Sequence, residues 1–517
     1  MANKQLFKSS VGRLPPETNA RNEAGGKAYA LSPQAALAQY AATGCLNTTF
    51  YANADMQLQT VLELCAAVEP AFVAKTAIYA RQRGQMKDMP ALLTAWLAQH
   101  ASDWLEPTFA RVIDNGRMLR NFVQILRSGV VGRKSLGSRP KRLVQGWLND
   151  SSDARLLAAS VGNDPSLADV IKMVHPHPAT PERAAFYAWL IGKPHEAALL
   201  PEAIKALERF KNDVEAPVPD VPFQLLTALP LQPQHWVAIA CQASWQTTRM
   251  NLNTFARHEV FKVGGMAQRI AERLRDPAAI RRARVFPYQL LSAYFMTGES
   301  VPERVRDALQ DALEASLANV PTLPGQVYVM LDVSGSMASP ITGYRKGATT
   351  TVRCVDVAAL VASALLAKNP ETEILPFDTQ VHTHRLNQRD SLLTNAQKLA
   401  EYGGGGTNCG LPLAELNQRN AKGDLVIYVS DNQAWVDPQQ GRGTETMHQW
   451  EIFRYRNPQA RLACIDIQPY ATVQAQTREE VLNVGGFSDA VFEVLAQFAA
   501  GQLGGEHWVR EIEAIEV

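Results

Sequence analysis

Residues 326–337 read QVYVMLDVSGSM. A short apolar run, of the kind found in buried strands, leads into Asp332, and Ser334 and Ser336 follow at two-residue spacing. A loop at a strand end can turn these three oxygens toward one point. Further apolar runs at 373–377, 425–429 (LVIYV) and 462–467 are interleaved with helical stretches, the longest at 354–368. Apolar strands alternating with helices predict a parallel α/β sheet. Open sheets of that kind carry their sites beyond the carboxyl ends of the strands. Two more oxygen-bearing loops fall there: glycines 403–406 precede Thr407, and Ser430-Asp431 closes the run LVIYVS. Asp332, Ser334, Ser336, Thr407 and Asp431 thus form an all-oxygen set. Such a set suits Mg2+ or another hard divalent cation, with water completing the shell. The glycine run has no Lys before its hydroxyl, so it is not a phosphate-binding P-loop. His382 and His384 follow a strand and are read as surface histidines.

The order D-x-S-x-S, then Thr on a second loop and Asp on a third, resembles the metal-ion-dependent adhesion site of the von Willebrand factor A domain. The resemblance implies a Rossmann-like α/β A domain over 325–517.

Upstream the pattern differs. Residues 1–25 are polar and aperiodic and are expected to form an irregular arm. Apolar residues at three- and four-residue spacing then predict helices near 35–40, 58–68, 71–83, 90–100, 105–126, 142–148, 154–161, 167–174 and 183–191, resuming from 223 to 317. So many short helices suggest an irregular α-solenoid; an ordinary globular helical domain is the alternative. The Pro-rich acidic stretch 212–221 reads as a loop, and 318–325 (ANVPTLPG) as the linker between domains 1–324 and 325–517.

The chain has 517 residues, 46% apolar and 20% charged, a composition that folds. No apolar run approaches the ~20 residues of a membrane helix, and residues 1–23 do not read as a signal peptide. Six scattered cysteines without CxxC or zinc-type spacing point to a reducing, cytoplasmic setting. The net charge of +1 conceals a division: residues 1–324 hold 36 Lys and Arg against 28 Asp and Glu, and the remainder 15 against 22. Two stretches concentrate the excess. Residues 111–150 carry net +7, including Arg133, Lys134, Arg139, Lys141 and Arg142 on a segment that Gly137 and Pro140 are expected to hold as an exposed loop entering a helix. Residues 249–284 carry net +6, Arg249, Arg257 and Arg284 among them. Paired basic patches are a footprint for phosphates. No zinc finger, basic zipper or RNP-type strand accompanies them, so RNA shape or single-strand recognition fits best.

The strings NEAGGKAYALS (22–32), GCLNTTFYA (44–52), YARQRGQMKDMP (79–90), SLADVIKMVHPHP (166–178) and RMNLNTF (249–255) are similar to the TROVE domain. That domain followed by an A domain is the architecture of the Ro autoantigen family, whose bacterial members the chain resembles over nearly its full length. The resemblance implies an all-α ring of HEAT-like repeats joined to the A domain. It further implies binding of small noncoding Y-type RNA on the outer surface, with single-stranded 3′ ends of misfolded or precursor RNA in the central hole. An exoribonuclease such as polynucleotide phosphorylase is the implied partner. The chain itself is expected to be monomeric, non-catalytic and free of the membrane. Matched residue by residue, the family's RNA-binding helix end falls on Lys172 and His175, whereas a further upstream Lys position falls on Ala168. Arg249 and Asn251 match a motif near the ring's interior, where structural hydrogen bonding is the alternative role. A metal-dependent protein-binding adaptor acting through the A domain is the rival reading, and an RNA-processing enzyme using the metal a third.

Overall fold

A computed structural model describes residues 13–517 apart from 45, 214, 284, 286, 318–319, 346–351, 385, 437–440 and 487. The first twelve residues of the arm, Cys45, Arg284 and residues 318–319 of the linker therefore lie outside it.

The arm is not irregular where it is described. Strands β1 (Ala20–Arg21) and β2 (Lys27–Ala30) pair antiparallel around a turn in which Gly25 takes φ +84°. Gly25 is used there because a side chain in that left-handed region is strained. Strand β3 (Val327–Asp332) is followed by β4 (Glu373–Phe377), β5 (Leu425–Ser430), β6 (Arg461–Asp466), β7 (Thr472–Val473) and β8 (Val481–Gly485). A five-stranded parallel sheet has the order β4-β3-β5-β6-β8, and β7 pairs antiparallel with β2 in a separate three-stranded sheet. The sequence predicts β3 to β6. It misses β8, whose Asn483 interrupts the apolar run, and β1, β2 and β7, which are too short to show a period.

The chain divides into two compact units, residues 1–89 with 317–516, and residues 90–316. The downstream boundary falls between Ser316 and Leu317. The residues before Met89, however, pack with the A domain rather than with the remaining helices. Tyr29 of β2 sits in one core with Tyr328, Met330, Phe377, Tyr428, Trp450 and Phe453, and its hydroxyl donates to the Pro16 carbonyl at 2.9 Å. Under the sheet, helix Cys354–Lys368 is buried nearly all round, as its continuous apolar sequence demands.

Among the described residues the second unit is helical throughout its regular structure, from Asp88–His100 through Glu303–Ser316. The helices end where the sequence provides caps: Ser152, Ser166, Thr180 and Ser244 each accept a backbone N–H at a helix start. Buried indoles tie neighbouring helices together. Trp147 donates to the Ile113 carbonyl at 2.8 Å and Trp245 to that of Leu274 at 3.1 Å.

The docking of the arm can be tested at Asn22, which is buried and bridges two segments far apart in sequence. Its amide donates to the Ala434 carbonyl at 2.7 Å, and its side-chain oxygen accepts from the Gly26 N–H at 2.7 Å. Asn22→Ala leaves both backbone groups without these partners. Loss of about 1–3 kcal/mol is expected in denaturant unfolding of the intact chain, read at the first transition if the two units melt separately.

Candidate functional site

The parallel sheet decides where the site lies. β3 ends in Asp332 and its neighbour β5 in Ser430, with Asp431 next. Ser430 donates its hydroxyl to Asp332 Oδ2 at 2.5 Å, and the Ser334 N–H donates to Asp332 Oδ1 at 2.9 Å. The hydroxyls of Ser334 and Ser336 are 3.3 Å apart. The glycine loop is laced onto this turn: Gly335 N–H donates to the Gly405 carbonyl at 2.9 Å and Gly404 N–H to that of Val333 at 3.2 Å. Thr407 is thereby delivered to the same unit, and its carbonyl accepts from the Trp435 and Val436 N–H groups. All five predicted oxygen residues are at most 3% exposed.

Two carboxyl groups buried so close resist ionisation. Burial is the largest cause of the raised pKa of Asp332, with the hydrogen bonds from Ser430 and Ser334 acting the other way and Asp378 adding repulsion. Asp431 is raised by burial first and by Asp332 second. Among the described residues neither forms a salt bridge, and the Thr407 hydroxyl is buried with no partner. No three His, Cys, Asp or Glu side chains gather as a ligand set among the described residues, so any cation here would lean on the hydroxyls.

Several neighbours escaped the sequence reading. Asp378 directly follows β4, and Asp466 ends β6. With Asp332 and Asp431, four adjacent strands each deliver an aspartate at the carboxyl end, all buried. The signal was present: each of these four strands stops at, or one residue before, an Asp. Asp378 accepts from the N–H groups of Gln380 at 3.0 Å and Gly405 at 3.3 Å. Asp466 accepts from the Gln39 amide at 2.8 Å and from Asn432, and burial raises its pKa well above the usual carboxylate range. His382 and His384 are half-buried rather than at the surface: His382 lies 3.1 Å from Asp378, and His384 contacts the Ile374 carbonyl. Tyr51, from the other end of the chain, lies beside Ser336 and Trp435; burial first, then the Asp431 and Asp332 charges, push its pKa up to about 12.

The basic residues sort into two kinds. Some arginines cap other helices. Arg133 lies 3.4 Å from the Ala98 carbonyl, and Arg120 reaches that of Ala159. Arg273 donates to the Ala240 and Cys241 carbonyls at 2.7 and 2.8 Å. Arg249, assigned to RNA by the sequence, is mostly buried and donates to the Gln289 carbonyl at 2.7 Å, so its guanidinium is engaged inside the unit. Arg139 meets Asp103 at 3.3 Å.

The others face solvent. Lys134, Arg142, Lys172, His175 and Arg257 are exposed and Lys141 is half-exposed. Pro140 does not hold this segment out of a helix: it sits in the first turn of helix Ser138–Asp150, where proline costs nothing. One face of that helix lines up with the end of helix Leu167–Val174. Gln145 donates to the Val174 and His175 carbonyls at 2.6 and 3.2 Å, and Asn149 to that of His177 at 3.0 Å. Lys141 is one turn before Gln145 on that face, which brings it toward His175. His175 is an exposed left-handed C-cap with φ +49°.

A helical region followed by an α/β domain whose strands end in aspartates and a D-x-S-x-S turn is the order that the resemblance to the Ro family implies. Residues 326–499 match the Ro60 vWA domain family. Over 94% of its length and 96% of the relative, the chain is 25% identical to RNA-binding protein RO60 of Deinococcus radiodurans. It is 23% identical to RNA-binding protein RO60 of Caenorhabditis elegans over 45% of this chain and 37% of that one. The crystal structure of the D. radiodurans Ro (Rsr) protein shares the fold, with a TM-score of 0.61 at 22% identity, covering 91% of this chain and all of the other. Residues 326–499 thus carry a Ro60-type vWA domain, and the chain is similar to Ro proteins over most of its length.

The glycine loop gives a direct test of the geometry. Gly403 holds φ +120°, and a Cβ there would stand 1.9 Å from the Val333 carbonyl oxygen. Gly403→Ala should cost at least about 1–3 kcal/mol from backbone strain alone, measured as a lowered midpoint in thermal or denaturant unfolding.

Proposed function

We propose that this chain is a non-catalytic RNA-binding protein. Its structured ligand is a small noncoding RNA of the Y type, and it also takes single-stranded 3′ ends of misfolded or precursor RNA. It works in RNA quality control, maturation or decay beside an exoribonuclease such as polynucleotide phosphorylase, as a cytoplasmic monomer. The observation that carries the reading is half-exposed Lys141 and exposed Arg142 and Lys172 on two helices joined through Gln145, with exposed His175 at the end of the second helix and exposed Lys134 on the loop before the first. Cations fixed on a rigid helix pair can meet several phosphates at once with little ordering cost. The names of the relatives support RNA as the ligand. No helix among the described residues is long and apolar enough to cross a membrane.

Changing Lys141 and Arg142 to Glu should weaken binding of a structured small RNA and lower the slope of log affinity against log salt by roughly one to two. A short 3′ single strand, held elsewhere by contacts that include Arg257, should be affected much less. Gel shifts with both ligands at several salt concentrations check this; unchanged affinity for both would return the cluster to a solvated face.

For the A domain we propose Mg2+ or another divalent cation held by Asp332, Ser334, Ser336, Thr407 and Asp431. The orphaned Thr407 hydroxyl and two uncompensated acidic groups suit a cation better than a closed polar core. Bound there, the cation supplies charge neutralisation and a coordination position for an outside carboxylate. Exposed Phe50, Trp435 and Val436 flank this region in the chain, which favours a second role as a metal-dependent protein-binding adaptor. Asp431→Asn should raise the metal-free melting temperature, because it removes a buried like charge, yet abolish the shift produced by Mg2+. In the wild type that shift should reach ~2.7 kcal/mol at a hundred times the dissociation constant. Scanning calorimetry with and without Mg2+ gives both readings.

A further inference from the structure

We infer that Tyr51 is an internal cap on the candidate metal pocket: the chain's own segment 47–52 holds a phenol against Ser336 and closes that side of the site to an outside ligand. The inference rests on the metal reading above. Its structural basis is the number of independent fastenings on a short non-helical segment. Asn47 donates its amide to the Thr342 carbonyl at 2.7 Å, and the Thr48 carbonyl accepts from the Tyr344 N–H at 2.7 Å. Tyr470 donates to the Thr49 hydroxyl at 3.3 Å, and the Tyr470 and Tyr51 rings meet edge-on at 6.3 Å. Gln57 anchors the segment from the following helix by donating to the Asn47 carbonyl at 2.8 Å. These contacts bring Tyr51 beside Ser336 of the D-x-S-x-S turn and Trp435, four residues beyond Asp431.

Mg2+ and Mn2+ need open octahedral positions for water or a partner oxygen. A tyrosine on the hydroxyl side of the pocket removes approach directions without itself adding charge. The neighbouring Phe50 and Trp435 are 53% and 50% exposed, so the cap carries an apolar outer surface. A partner carboxylate must either enter past this rim or displace the segment. Since the segment is pinned at Thr342, Tyr344 and Tyr470, all within the same compact unit, its release requires several hydrogen bonds to open together.

The test uses the full chain with Mn2+ as the probe and acetate as the competing carboxylate. Water-proton relaxation reports how many exchangeable waters reach the bound Mn2+, and Asp332→Asn gives the background of adventitious binding. Tyr51→Ala should increase the relaxation enhancement per bound Mn2+, and acetate should displace that water at several-fold lower concentration than in the wild type. Tyr51→Phe keeps the ring and loses the hydroxyl, and should respond in between; if Tyr51→Ala does not fold, Tyr51→Phe against the wild type decides the matter on the same readings. Mn2+ binding with equal enhancement and equal acetate sensitivity in all three proteins would overturn the cap and leave the metal reading standing. Mn2+ binding no stronger than in Asp332→Asn, in the wild type and variants alike, would overturn both.

Discussion

Two carboxyl groups buried together at the ends of adjacent strands are the constraint around which the A domain is arranged. An acid pair without a cationic partner is costly in a protein interior, and the surrounding chain reads as a response to it. Ser430 and the Ser334 N–H donate to Asp332, and the Gln433 N–H donates to Asp431 at 3.3 Å. Gly403 and Gly405 let a loop approach closely where a side chain would collide with the Val333 carbonyl or with Asp378. The parallel sheet is what makes such crowding possible, because neighbouring strands running the same way must bring their last residues to one edge. Register then fixes the partners: Ser430 lies opposite Asp466, and Asp332 opposite Phe377, whose successor is Asp378.

The legibility of the sequence follows the range of the forces involved. Strands β3 to β6 and the long buried helix declare themselves through continuous apolar runs, and the five oxygen residues through their spacing at run ends. Asp378 and Asp466 carried the same mark and were passed over because neither lies in a motif. The small sheet was illegible for a different reason. A two-residue strand has no periodicity, and the partner on the other side of β2 is β7, more than 440 positions later. Tyr51 likewise has no local signature; what gives it a place is the fastening of its segment to residues 342–344 and 470.

Charge clusters proved a blunter guide. Counting Lys and Arg treats every cation as surface, yet Arg120, Arg133, Arg249 and Arg273 spend their guanidinium groups on backbone carbonyls of other helices. Short helices leave many terminal carbonyls unsatisfied, and arginine, with its long stem and several donors, reaches them well. Part of the basic excess of this region is thus the internal mortar of a many-helix architecture. The portion left for phosphates is smaller and better localised than composition suggests.

The pairing of β2 with β7, the Asn22 bridge to Ala434 and the seat of Tyr29 in the A-domain core also set a schedule for synthesis. On the ribosome residues 13–89 emerge before the A-domain segments they pack with in the finished protein. Residues 90–316 form a separate compact unit and can close while the A domain is still unmade. The leading segment must wait, with its apolar side chains uncovered, until residues beyond 470 leave the exit tunnel. Domains that emerge whole can fold in order of appearance; here a piece made before the A domain is among the last to settle, and a nascent chain cut short before β7 would keep Tyr29 and its neighbours in view of chaperones and proteases.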